Sequence, residues 1–197
     1  MKNYTAFSCD PMKKDTVFTH PPKLPEMVLL ESPALDVMTD FRYVQPVTVT
    51  HDIAIDEALE KMKISGVRLL LVSEEEDKII GTITSKVILS EEPIRIVEKR
   101  RIPRSQITVA MIMTPQNEVT VINLLDVRHA KVGHIVATLR NLERKHLLVV
   151  DIDKATGEQR VCGLFSTSQI GRQLGVCVVP AMSVAQTLAE INQQLGW

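Results

Sequence analysis

The chain is 197 residues long, 45% apolar, and carries a formal net charge of −1. That length fits one domain or two small units sharing a core, and that composition is ordinary for a chain that buries one. The charge balance excludes a global field drawing the protein onto nucleic acid or a membrane surface. No apolar stretch approaches the roughly 18 residues a membrane span needs. The start, Met1-Lys2-Asn3-Tyr4, lacks a signal peptide's apolar core. Cys9, Cys162 and Cys177 are an odd number without metal-type spacing, which predicts reduced thiols and a cytoplasmic location. Cys162, in a predicted strand, reads as a small core residue.

Residues 1–33 contain Pro11, Pro21, Pro22, Pro25 and Pro33. Proline fixes φ and donates no hydrogen bond, so this arm is expected to be extended. It is either disordered or laid along a neighbouring subunit. Val28-Leu29-Leu30, its apolar patch, favours docking. Next come Ala34-Leu35-Asp36-Val37-Met38-Thr39 and a β-branched run, Val47-Thr48-Val49-Thr50. Ile55, Ala58, Leu59 and Met62 share one face of a helix from Ile55 to about Ser65, and Gly66 ends it. Leu69-Leu70-Leu71-Val72 reads as a strand buried on both faces. Glu74 to Lys78 is a charged turn. Ile79 to Thr84 is a strand, and Ser85 to about Leu89 a short helix. Pro93 opens a connector whose basic end is Lys99, Arg100, Arg101 and Arg104. It reads as a solvated linker helix or, alternatively, as a phosphate-binding cluster.

The order then repeats. Val109-Ala110-Met111-Ile112-Met113-Thr114 echoes the first opening motif, and Val119 to Ile122 is the strand after it. Asn123 to Ala130 is expected to be an added loop. Val132, Ile135, Val136, Leu139 and Leu142 mark a helix, Leu147 to Val150 the buried strand, Val161 to Ser166 the closing strand, and Ser168 to Leu174 a helix. Met38 and Met113 are 75 positions apart, whereas Gly81 and Gly163 are 82 apart, so the second unit is longer by the added loop. Beyond it, Val184, Leu188, Ile191 and Leu195 predict an amphipathic helix with Ser183 as N-cap. A repeat on this scale governs the fold.

This β-α-β-β-α order, stated twice, resembles the CBS domain pair, or Bateman module, over about residues 34–175. The resemblance rests on Asp36-Val37-Met38-Thr39 and Ile112-Met113-Thr114-Pro115, on Gly66-Val67-Arg68-Leu69-Leu70-Leu71-Val72, and on Gly81-Thr82-Ile83-Thr84 and Gly163-Leu164-Phe165-Ser166. It implies an α+β (α/β) fold of two small sheets packed face to face with flanking helices. The implied organisation is an extended arm (1–33), CBS repeat 1 (34–92), a basic linker helix (93–108), CBS repeat 2 (109–175) and a C-terminal amphipathic helix (176–197). It further implies a stand-alone regulatory module, a homodimer, with two clefts for AMP, ADP, ATP or S-adenosylmethionine as regulatory ligand. The regulated protein is not identified by the sequence.

The family's closing strand runs Gly-x-x-Thr/Ser-x-x-Asp, its hydroxyl and carboxylate serving ribose or phosphate. Here the hydroxyls are Thr84 and Ser166, with Thr167 beside the latter, but the aspartate positions hold Val87 and Gln169. Gln169 still offers a carbonyl oxygen and Val87 nothing, so the second cleft is the expected ribose site. Arg68, Lys145 and His146, at the starts of the buried strands, are the candidate phosphate contacts; they alternatively cap helix ends. Thr84 and Ser166 alternatively bond local backbone. The missing carboxylates support a second reading, a structural or protein-interaction module that has lost the nucleotide. Asp126, His129 and His134 are weak metal candidates, the Asp151–Gly157 turn lacks calcium-loop spacing, and no nucleophile elbow or phosphate loop points to an enzyme.

Overall fold

A computed structural model describes residues 11–17, 23–74, 78–176 and 178. The expected C-terminal helix over Ser183 to Leu195, most of the charged turn after Glu74, Cys9 and Cys177 lie outside the described residues. Two four-stranded sheets form the frame. The first unit holds β2 (Thr48–Val49), α1 (Ile55–Ile64), β3 (Leu69–Ser73), β4 (Ile79–Thr84) and α2 (Ser85–Ile88). The connector is α3 (Glu92–Arg100). The second unit holds β6 (Val121–Asn123), α4 (Leu124–His129), α5 (Val132–Asn141), β7 (His146–Ile152), β8 (Gln159–Ser166) and α6 (Thr167–Leu174). In each unit a parallel pair precedes an antiparallel hairpin, β2–β3–β4 and β6–β7–β8. Gly66 follows α1 at φ +66°, the left-handed geometry that lets the chain turn into β3.

The two opening motifs are exchanged between the units. β1 (Thr39–Asp40), which opens unit one, pairs antiparallel with β8 of unit two, Thr39 opposite Leu164 and Asp40 opposite Gly163. β5 (Thr114–Pro115), which opens unit two, pairs with β4 of unit one, Gly81 opposite Pro115. The cores follow the exchange. Ala34, Val37 and Met38 pack with Val132, Ile135, Leu139, Leu147, Val149 and Phe165. Ile107, Val109 and Ile112 pack with Ile55, Ala58, Met62, Leu70, Val72 and Ile83. This crossing explains the glycine inside each closing strand. A Cβ on Gly81 would overlap the Thr114 carbonyl oxygen, and one on Gly163 would sit 2.9 Å from Met38 Sδ and 3.0 Å from Thr39 O. The methionine-threonine of one copy therefore fits over the glycine of the other.

Three expectations change on contact with the structure. The added stretch after Asn123 is a helix rather than a loop: Asn123 Oδ1 accepts from Leu125 N–H, and Leu124 and Val127 are buried. A side-chain cap and two apolar residues one turn apart suffice for a helix this short when tertiary packing supports it. Residues 23–33 of the arm neither lie free nor require a neighbour for docking, because they dock on unit two. Val28 N–H donates to Gln173 O, Gly133 N–H to Leu30 O, and Val132 N–H to Ser32 O; Lys131 pairs with Glu31. The buried Gln173 amide nitrogen donates to the Pro25 and Asp36 carbonyls. The connector is also less solvated than its charge suggests: Pro93 is buried and Ile96 and Val97 pack against the first core. Cys162 is partly buried against the second core, and burial raises its thiol pKa, which fits an unreactive packing residue.

Each sheet lays one face on its helices, and the other faces turn toward each other. Side chains alternate along a strand. Leu70 and Val72 lie in the first core, so Leu71 points away with its cross-strand partner Thr82. Leu147, Val149 and Phe165 lie in the second core, so Leu148 points away with its partner Leu164. Thr82 and Leu148 then line one cavity between the sheets.

Candidate functional site

The inter-sheet cavity has a volume of about 700 Å³. Its floor is apolar: Leu69 of β3 and Leu148 of β7, with Val87 of α2 and Val119 from the turn before β6. Hydroxyls ring it: Thr82, Thr84, Ser85, Ser90, Thr114 and Thr120. Four cations, Arg68, Lys86, Arg144 and Lys145, stand against two carboxylates, Glu118 and Glu143. The excess of positive charge suits an anionic ligand, since guanidinium and ammonium groups donate strong hydrogen bonds to phosphate oxygens.

The cations come from turns that the sequence fixes locally. Arg68 lies between the glycine that ends α1 and the start of β3, and its Nη1 reaches Ser168 Oγ of α6 at 3.5 Å. Arg144 and Lys145 occupy the matching turn between α5 and β7, where Glu143 adopts φ +51°. The same strand-start position in both units therefore points into one space, because the two sheets face each other.

Thr84 caps α2: its Oγ1 accepts from Val87 N–H at 3.4 Å. Capping uses an acceptor lone pair and leaves the hydroxyl proton available, so the cap and a ligand contact are compatible. Val87 lines the cavity where the resemblance implies a carboxylate.

His146 is the first residue of β7, opposite Ser166 on β8. It is mostly buried, and burial, followed by the charges of Lys145 and Arg68, lowers its pKa to about 4. Its imidazole is thus neutral near pH 7. The sequence predicts His146 as a phosphate contact beside Lys145; with a neutral imidazole it contributes one donor and one acceptor rather than a charge.

The residues expected to form the second cleft are held elsewhere. Ser166 Oγ accepts from Gln169 N–H at 3.4 Å and caps α6. Gln169 Oε1 accepts from Thr39 Oγ1 at 2.8 Å, and its Nε2 donates to Val37 O at 3.5 Å. Thr167 is buried, and its N–H donates to Lys145 O. None of these three side chains lines the cavity, whereas Arg68, Thr84, Val87, Lys145 and His146 all do. The expected grouping of Lys145 with Ser166 and Gln169 is therefore replaced by a grouping with Thr84 and Val87. The reason is the exchange of opening strands, which brings Thr39 across to occupy the Gln169 amide. Lys86, Arg144, Thr114 and Thr120 were missed as cavity residues. Their signal was adjacency to positions already singled out, and it needed the sheet pairing to be interpreted.

Asp126, His129 and His134 share a shallower groove of about 510 Å³ between α4 and α5. His134 Nδ1 accepts from Lys131 N–H. Among the described residues no group of three or more His, Cys, Asp or Glu is arranged to hold a metal ion. Among the same residues no helix is long and apolar enough to cross a membrane.

Comparison with known proteins agrees with this architecture. The CBS domain family model matches residues 34–93. No curated protein sequence matches significantly. Among solved structures, an uncharacterized conserved protein from Pyrococcus horikoshii is similar at 21% identity, covering 73% of this chain and 92% of its own, with a TM-score of 0.50. The CBS-pair protein CBSX2 from Arabidopsis thaliana is 21% identical, covering 72% and 92%, with a TM-score of 0.48. The CBS domain pair of protein MJ0100, in complex with 5′-methylthioadenosine and S-adenosyl-L-methionine, is 20% identical, covering 72% and 98%, with a TM-score of 0.49. The chain is thus a duplicated α+β module of two small sheets with flanking helices. Residues 34–93 match the CBS domain family model, and the second unit repeats the order of elements of the first, apart from the added α4.

Proposed function

We propose that this chain is a regulatory CBS pair that binds an adenosine-containing ligand, AMP, ADP, ATP or S-adenosylmethionine, in the inter-sheet cavity. The carrying observation is the cavity itself: about 700 Å³, with an apolar floor, a ring of hydroxyls and four cations drawn from both units. That volume falls in the range of small-molecule sites. The base lies on the apolar floor, the hydroxyls serve the ribose, and Arg68, Arg144 and Lys145 serve phosphate. A ligand touching both units shifts their relative placement only by binding two arrangements unequally. The module acts as a homodimer, and light scattering giving a monomer at high micromolar concentration would remove the dimer from this reading.

Titration calorimetry with AMP, ATP and S-adenosylmethionine at millimolar concentration tests the proposal. The expected result is saturable heat with at least one of them. No heat and no thermal shift with all three would sink it. Val87→Asp sharpens the test, because it puts a carboxylate on the cavity wall at the family's ribose position. A hydrogen bond to a charged group is worth about 1.5–3 kcal/mol, so AMP should bind roughly ten- to a hundred-fold tighter.

Val87 itself and the engaged Gln169 amide favour a second reading, a CBS module retained for structure or protein interaction after losing its nucleotide. Wild type silent in calorimetry, with Val87→Asp also silent, is the outcome that selects it.

A further inference from the structure

The two strand starts that meet in the cavity are related by the repeat, and where Arg68 and Lys145 both keep a cation, the next position changes from Leu69 in unit one to His146 in unit two. His146 stands in the cavity wall with Arg68 and Lys145. Resting on the ligand reading above, we propose that His146 is the specificity-determining residue of the cavity, taking up a proton when a phosphate group enters beside Arg68 and Lys145. The cavity then favours phosphorylated nucleosides over neutral adenosine and over the sulfonium cation of S-adenosylmethionine, and it binds phosphate more tightly as pH falls.

The argument is electrostatic. The charged groups that line the cavity with His146 are Arg68 from the turn before β3, Lys86 from α2, Arg144, Lys145 and Glu143 from the turn before β7, and Glu118 from the turn before β6; Lys145 and Arg68 act on the imidazole directly. Ser166, facing it from β8, is neutral. The cations outnumber the carboxylates, and His146 itself is mostly buried, so a further positive charge is disfavoured there. A phosphate reverses that balance. Its negative oxygens satisfy Arg68 and Lys145 and leave room for a charged donor from His146. The proton comes from solvent and goes to the imidazole nitrogen not already donating.

If the bound phosphate restores the imidazole to its ordinary pKa near 6.5 from about 4 in the free cavity, linkage makes binding roughly tenfold tighter at pH 5.5 than at pH 7.5. About one proton is then taken up per ligand at the lower pH. The experiment is calorimetry of the full chain with AMP, adenosine and S-adenosylmethionine at both pH values, each in two buffers of different ionisation enthalpy. His146→Gln, checked for wild-type melting at pH 7.5, is run alongside, and its difference from wild type cancels the ligand's own phosphate titration. The expected result is proton uptake and acid-tightened AMP binding in wild type, both lost in His146→Gln, with adenosine and S-adenosylmethionine lacking the gain. AMP binding with the same pH dependence and proton count in both proteins would overturn the role of His146 while leaving the ligand reading intact. No binding of any of the three by wild type would overturn the ligand reading and this inference with it.

Discussion

Replacing Gly81 by alanine tests the exchange of opening strands directly. The added methyl meets a backbone atom, the Thr114 carbonyl oxygen, with Met113 Sδ a further 3.3 Å contact. A backbone atom in a paired strand cannot turn aside as a side-chain end can, so β5 must shift off β4. Overpacking of this kind costs about 1–3 kcal/mol, which exceeds the roughly 0.4–1 kcal/mol that alanine gains by restricting the unfolded chain. Net of that gain, at about 2–4 °C per kcal/mol for a chain of this size, the melting temperature should fall by roughly 3–5 °C. Gly163→Ala offers an internal control. There the closest atom is Met38 Sδ at 2.9 Å, followed by Thr39 O at 3.0 Å. Removing the thioether should relieve part of the clash, so Gly163→Ala with Met38→Ala should be less destabilised than the sum of the two by about 1 kcal/mol. Gly81→Ala with Met113→Ala should be close to additive. Denaturant melts of the six variants and the wild type decide it. Gly81→Ala melting at or above wild type would refute the crossing of Thr114 over Gly81, and equal coupling in both cycles would refute the distinction between backbone and thioether contacts.

Two further outcomes are expected. His146 has a folded-state pKa of about 4, below its ordinary value near 6.5, so the unfolded chain binds the extra proton first. Its contribution to stability is complete above pH 6.5 and is lost as pH falls toward 4, amounting to roughly 2 kcal/mol by pH 5. His146→Leu, which copies Leu69, should flatten urea-measured stability between pH 7 and 5; a parallel decline in variant and wild type would dismiss the imidazole as its cause. Gln173→Ala removes the amide that holds the Pro25 and Asp36 carbonyls. It should cost about 1–3 kcal/mol and speed proteolytic cleavage within residues 23–33, and unchanged cleavage would show that the backbone bonds of Val28 and Gly133 suffice.

Much of the fold was legible because its signals are local. Ile55, Ala58 and Met62 fall on one helix face and are buried, and the aliphatic runs from Leu69 and Leu147 are the central strands β3 and β7. The exchange was not legible. β1 and β5 are two residues long, too short to carry a period, and their partners are set by packing far along the chain. The added segment hid its helix for a related reason: Leu124 and Val127 give one i, i+3 pair, which a loop also presents, and the Asn123 cap becomes decisive only once both are seen to be buried. At the site, Arg68, Thr84, Lys145 and His146 were found one by one from motif positions. Their assembly into one cavity depended on how the sheets face each other, and the engagement of Gln169 with Thr39 depended on the exchange.

The Thr39–Gln169 hydrogen bond joins positions 130 apart in the chain, and that distance bears on how the protein assembles. Chain closure over such a span costs entropy before any packing rewards it, and pairings of high sequence separation slow folding. A chain cut in the turn after α3, near Pro103, would leave β4 without β5 and β8 without β1, each an unpaired sheet edge open to aggregation. The two halves would need each other's leading segment to complete their sheets. The repeats are duplicates in sequence but not separable parts: the smallest unit able to complete either sheet spans both.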